Sequence, residues 1–198
     1  DEWWKIIQTH EYPGQEGYFI HPVSNLDVMA GNGTIGLEIL EDLPDVDAVV
    51  IPFGGGGLSS SIASVVRALN PATRLYGAEV ETAPPLKASL DANSPREVDY
   101  TPSFVDGIGG KSVLEEIWSR VSVLLDDSLV VTLAQVKSAL RLMLERNRVL
   151  AEGAGATPVA CALAGMAGGG KVVCVVSGGN IDMEKLLRML SEPIAPDE

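Results

Sequence analysis

The atoms of this chain best suited to chemistry are backbone ones. Ile51-Pro52-Phe53-Gly54-Gly55-Gly56-Gly57-Leu58-Ser59-Ser60 sets four consecutive glycines between an apolar run and a helix-forming run. Glycine adopts conformations closed to other residues and lacks the Cβ that would hold a ligand off. N–H groups of such a loop converge on the following helix N-terminus, where the dipole favours an anion. In an open α/β sheet this place, the carboxyl end of a strand, is where ligands bind. The chemistry implied is a phosphate cradle; a tight strand-to-helix turn alone would use one or two glycines. No lysine follows, so GxxxxGK[ST] is absent, and the dinucleotide fingerprint fails where Ser59 stands in place of its third glycine. Glu79, 25 residues after Gly54, ends the next strand near the place of a ribose-binding acid, so a nucleotide remains an alternative.

Two further groups carry polar atoms at comparable places. Cys174-Val-Val-Ser177-Gly178-Gly179-Asn180 is an apolar strand ending in a hydroxyl and two glycines. Ser177 either faces the same crevice as the glycine loop or caps the next helix, a role Asn180 or Asp182 could also fill. In Ala151-Glu152-Gly153-Ala154-Gly155-Ala156, Glu152 stands among small residues after a long helix, as a solvated acid or as a partner for a polar ligand group. The two cysteines, Cys161 and Cys174, form no CxxC or Cys/His cluster, so zinc is not indicated, and Cys174 within KVVCVV reads as a buried thiol.

The elements that must position these residues follow from periodicity and from Gly/Pro punctuation. Residues 1–8 read as a short helix and Tyr18–Ile20 as a short strand. Residues 27–43 read as a buried helix capped by Asp27, whose Gly31, Gly33 and Gly36 imply a closely packed neighbour. Buried strands are expected at 47–52, 75–80 and 172–176, with one or two short strands in 121–131. Helices are expected at 58–69, 85–90, 113–120, 133–148 (Thr132 capping, Gln135 at N3), 154–167 and 182–190. Residues 92–112 read as a long loop. Apolar strands alternating with helices give an α/β fold: an open, mainly parallel twisted sheet with helices on both faces.

Composition sets the outer limits. The 198 residues carry 14 Lys+Arg and 27 Asp+Glu, a net charge of −13. That charge argues against nucleic acid and anionic membranes as partners. It does not exclude an anion bound by backbone N–H groups. No apolar run reaches the roughly 18 residues of a membrane span. The acidic start lacks signal-peptide architecture, and the expected setting is cytoplasmic.

Taken together, FIHP (19–22), VMAGNGTIGLEIL (28–40), GGGGL (54–58), GAEVE (77–81), VDGIGG (105–110), LAEGAGA (150–156) and VVSGGNID (175–182) resemble the large domain of fold-type II pyridoxal-phosphate enzymes. The threonine/serine dehydratase and serine racemase family is the branch most similar. The resemblance implies a cofactor-binding large domain over 23–191, a tail of an otherwise absent small domain in 1–22 and a frayed tail in 192–198. It implies pyridoxal 5′-phosphate as cofactor, its phosphate on Gly54, Gly55, Gly56, Gly57 and Leu58 and its pyridine nitrogen on Ser177. Glu152 would lie near the ring, and Gly107 would line the substrate side. A divalent cation is implied at Glu79 and the Ala83 carbonyl, although the third ligand position holds Pro85. Val23 stands where the family often has Asn. No lysine has the S-x-K context of the Schiff-base residue; Lys111 alone lies near a matched motif. The implied parent activity is β-elimination from a small hydroxy-amino acid to a 2-oxo acid and ammonia, in a homodimer, with this chain inactive alone. The alternatives are a racemase of the same family and a non-catalytic binding or oligomerisation partner.

Overall fold

The computed structural model describes residues 2–191. The frayed tail expected at 192–198 lies outside them. Among the described residues four strands, β1 (Ala48–Pro52), β2 (Arg74–Val80), β3 (Asp127–Val131) and β4 (Val172–Cys174), form one sheet in the order β3-β2-β1-β4, every pair parallel. Eight α-helices of the same residues surround it: α1 (Glu2–Thr9), α2 (Leu26–Asp42), α3 (Gly57–Leu69), α4 (Pro85–Ala92), α5 (Glu115–Leu124), α6 (Leu133–Leu142), α7 (Gly153–Leu163) and α8 (Met183–Ser191).

Strand alternation divides the core. Val49 and Ile51 join Phe53, Ile62, Leu86, Ile117 and, from α1, Ile7 on one face. Val50, Ala78 and Val80 join Val136, Leu140, Ala156, Cys161, Leu186 and Met189 on the other. All five β1 residues are buried, as a central parallel strand covered on both faces requires. The glycines of α2 pack as their type predicted at two of three positions. A Cβ on Gly36 would lie 3.1 Å from the Ile62 carbonyl of α3 and one on Gly33 3.2 Å from Val65, whereas Gly31 meets nothing.

Several expectations are corrected. Residues 18–20 form no strand; Tyr18 and Ile20 are exposed and pair with no strand among the described residues. Asn25, not Asp27, caps α2, accepting from the N–H groups of Asp27 and Val28. An acceptor two or three residues ahead of those donors fits better than one on the first turn itself. Residues 121–124 extend α5, because Val121 is buried on its inner face, and a single strand follows. The helix from Leu133 has the expected Thr132–Gln135 capping box but gives way to a π-turn at Met143–Asn147, with Arg148 left-handed at φ 60°. Strand β4 is short and half-buried rather than buried, because it is the sheet edge.

Candidate functional site

The glycine loop sits at the carboxyl end of the central strand. Phe53 N–H still belongs to the sheet, donating to Ala78 O at 3.0 Å, and Ser60 N–H begins the helical ladder, donating to Gly56 O at 2.9 Å. Between them, the N–H groups of Gly54 to Ser59 meet no acceptor among the described residues. Gly56 holds φ 85° as N-cap of α3 and supplies no capping side chain. The carbonyls of Gly56 and Gly57, in contrast, are occupied. Ser59 and Ser60 Oγ donate to Gly56 O at 3.2 and 2.7 Å, and Ser61 Oγ donates to Gly57 O at 2.6 Å. Donors are thus left unengaged while the Gly56 and Gly57 acceptors are covered, and the helix dipole adds positive potential. A phosphate monoester fits this donor set. Sequence reasoning missed the serines; their signal is a hydroxyl three or four residues after each carbonyl it covers.

The other predicted residues continue from this loop as a strip. A Cβ on Gly54 would lie 3.4 Å from Gly107 O, and one on Gly107 would lie 3.3 Å from Glu152 Oε1. A Cβ on Gly178 would lie 2.6 Å from the same Glu152 oxygen, and Glu152 N–H donates to Gly178 O at 3.0 Å. Ser177 follows, exposed, its groove shared with Leu58 of α3. Gly54, Gly107, Glu152 and Ser177 therefore belong to one region, although they are spread over 124 positions of sequence. Glycines at 107 and 178 are what let backbone approach the Glu152 carboxyl. Burial and the charge of Asp106 raise the Glu152 pKa, and the Asn180 N–H works against them.

One wall of the region comes from Val23, which the resemblance sets at a position where the family often has Asn. Val23 lies against the glycine loop: a Cβ on Gly55 would meet its Cγ2 at 2.6 Å, and one on Gly57 its carbonyl oxygen at 2.5 Å. A cavity of about 320 Å³ opens beside it, bounded by Ile7, Val23, Gly54, Gly55, Tyr100 and Lys111. The other candidate residues are elsewhere. Glu79, 1% exposed, receives Leu86 N–H and Lys87 N–H at 2.8 Å each and Ser128 Oγ–H at 2.6 Å. It holds the start of α4, with Ala83 buried just before it and Pro85 as the first helical residue.

The family model described as "Pyridoxal-phosphate dependent enzyme" matches residues 5–178. L-threonine ammonia-lyase of Thermotoga maritima is 39% identical over 88% of this chain and 44% of its own length. L-threonine dehydratase catabolic TdcB of Escherichia coli K12 is 36% identical over 91% of this chain and 56% of its own. Among solved structures, the T.th. threonine deaminase superposes with a TM-score of 0.79 at 34% identity, covering 83% of this chain and 61% of that one. Maize serine racemase gives 0.79 at 31% identity, covering 86% and 56%. The chain thus spans about half the length of the curated relatives it matches. It belongs to the pyridoxal-phosphate dependent enzymes, in the fold-type II family of threonine dehydratases and serine racemases.

Proposed function

We propose that the chain is the cofactor-binding part of a pyridoxal-phosphate ammonia-lyase that acts on a small hydroxy-amino acid, threonine or serine, by β-elimination. The observation that carries this reading is the row of unengaged N–H groups from Gly54 to Ser59, continuous through Gly107 and Glu152 with Ser177. The names of the relatives point the same way. The cofactor, when bound, supplies the electron sink into which a substrate Cα–H bond is broken. The chain's own residues hold and tune it. Gly54 to Leu58 bind the phosphate through N–H groups. The Ser177 hydroxyl would hydrogen-bond the ring nitrogen, and as a neutral group it would not hold a proton there in the way a carboxylate does. Glu152 would lie near the ring, with its pKa raised by burial and by the charge of Asp106. Gly107 leaves the substrate side open.

No lysine of the chain stands in an S-x-K motif. Lys87, Lys171 and Lys185 are paired with acids. The proton-transferring base therefore comes from outside these motifs, and the chain alone binds the cofactor non-covalently without turnover. Borohydride reduction after addition of pyridoxal phosphate, followed by peptide mapping, is expected to find no single lysine labelled one-to-one. Stoichiometric labelling of one lysine, with 2-oxobutyrate formed from threonine, would overturn this. The likeness to maize serine racemase supports racemisation as the second reading. Release of 2-oxo acid against D-serine, measured on the longest form of the protein, separates the two. A homodimer, as expected from the resemblance, is tested by sedimentation of the same material.

Glu79 fits a divalent cation poorly. Such ions gather six or more oxygens, whereas this lone carboxylate already accepts three hydrogen bonds and position 85 is proline. We read it as a structural anchor of α4.

A further inference from the structure

His21 of the FIHP motif has no place in the function described above, yet its ring is fully engaged. It is 4% exposed. Nδ1 accepts from Ser24 N–H at 2.9 Å, from Ser24 Oγ–H at 2.8 Å and, more weakly, from Val23 N–H at 3.3 Å. Nε2 lies 2.9 Å from Ile7 O, which can only accept, so Nε2 carries the proton. These partners select one neutral tautomer. The same assignment bears on the cluster His10–His21–Glu116, whose ligand atoms lie within 4.8 Å of one another. An Nε2 that keeps its proton for Ile7 O is no metal ligand. The His10 ring instead stacks on His21 at 4.1 Å.

The two nitrogens tie different things. Nε2 ties α1 through Ile7 O. Nδ1 gathers the turn at Val23 and Ser24, and Val23 is the residue whose side chain and carbonyl lie against Gly55 and Gly57. A shift of Val23 by a few tenths of an ångström reaches the glycine loop directly, because the loop has no Cβ to absorb it. We propose that His21 is a positioning residue for the phosphate cradle: through the acceptor at Nδ1 it fixes Val23, and Val23 fixes the directions of the Gly55 and Gly57 N–H groups. The inference rests on the reading of the glycine loop as a phosphate site.

Two variants divide the ring. In His21→Asn the Oδ1 atom retains an acceptor near the Nδ1 position. In His21→Gln the terminal amide retains a donor toward Ile7 O but removes the acceptor from Val23 and Ser24. The probes are pyridoxine 5′-phosphate and pyridoxine, which lack the aldehyde and form no imine with lysines; binding to the full chain is measured by calorimetry. Their affinity ratio isolates the phosphate contribution. His21→Gln is expected to lower the ratio about tenfold, the worth of about one good hydrogen bond to an anion, while His21→Asn stays within about threefold of the parent chain. Nitrogen-15 NMR of the parent chain is expected to show His21 as the Nε2–H tautomer. Equal weakening of both probes in His21→Gln, an unchanged ratio, or an Nδ1–H tautomer would overturn the positioning role while leaving the phosphate reading standing. A parent chain that does not distinguish the two probes would instead sink the phosphate reading, and the positioning role with it.

Discussion

At the scale of single residues, what a glycine or an acid does here is decided by what it touches. Gly57→Ala would set a methyl group 2.5 Å from the Val23 carbonyl, a backbone atom that cannot rotate away. We expect it to cost about 1–3 kcal/mol in urea unfolding, as overpacking does, and to abolish the preference for the phosphorylated probe. Glu79 makes a different prediction. Burial raises its pKa from 4.5 to about 7, against the pull of Ser128, Leu86 and Lys87. The folded state therefore holds a proton there that the unfolded chain releases near pH 4.5. Its contribution to stability is complete below that pH and is lost as pH rises toward about 7. Glu79→Gln is expected to flatten that part of the stability–pH curve, measured by thermal unfolding. If Glu79 anchors α4 and binds no cation, millimolar magnesium, calcium or chelator should leave the melting temperature unchanged; a rise with one cation that Glu79→Gln removes would reinstate the ligand role. Strand ends allowed Gly54 and Ser177 to face one crevice, and the family resemblance, not spacing, added Gly107 and Glu152. The resemblance named Val23 only as a departure from Asn; its contact with Gly55 and Gly57 and the bonds of His21 were not read, because they depend on where residues 21–24 lie relative to the glycine loop and to α1, relations no local pattern encodes.

At the scale of elements, local rules predicted well where a helix or strand satisfies itself and poorly where a neighbour decides. The capping box of α6 was legible as Thr132 with Gln135 because its two hydrogen bonds close within four residues. Thr132→Ala is expected to cost about 1 kcal/mol by chemical denaturation. The end of that helix was not legible: Met143–Asn147 forms a π-turn, Met143 is buried, and Arg148 turns left-handed. Tyr18–Ile20 has strand-forming residues but pairs with no strand among the described residues, and β-propensity needs a partner to act on. Asn25 displaced Asp27 because capping depends on backbone geometry just outside the helix, which a residue type alone leaves open by a position or two. Apart from the Tyr18–Ile20 strand, which does not form, these failures lie at element ends, and the order of helices and strands from α2 onward held.

At the scale of the whole molecule, charge and layering agree with the site. A net charge of −13 is compatible with an anionic ligand because the candidate cradle is backbone N–H and helix dipole, with no cluster of bases required. Alternating apolar strands and helices announced a parallel sheet covered on both faces, and the two cores confirm it. The strand order was not legible, since β1 pairs with β2 nearby and with β4 far away. That last pairing has a kinetic consequence. Lys171 N–H reaches the Asp47 carboxylate across 124 residues of chain, beside the Ala48–Val172 pair. Contacts closing such long loops are slow to form. In the chain β1, the glycine loop, β2 and β3 all precede β4 and are synthesised before it. The arm bearing Ser177 is therefore the last part of the candidate site to be synthesised, and a chain stalled before residue 172 would lack both Ser177 and the β4 partner of β1.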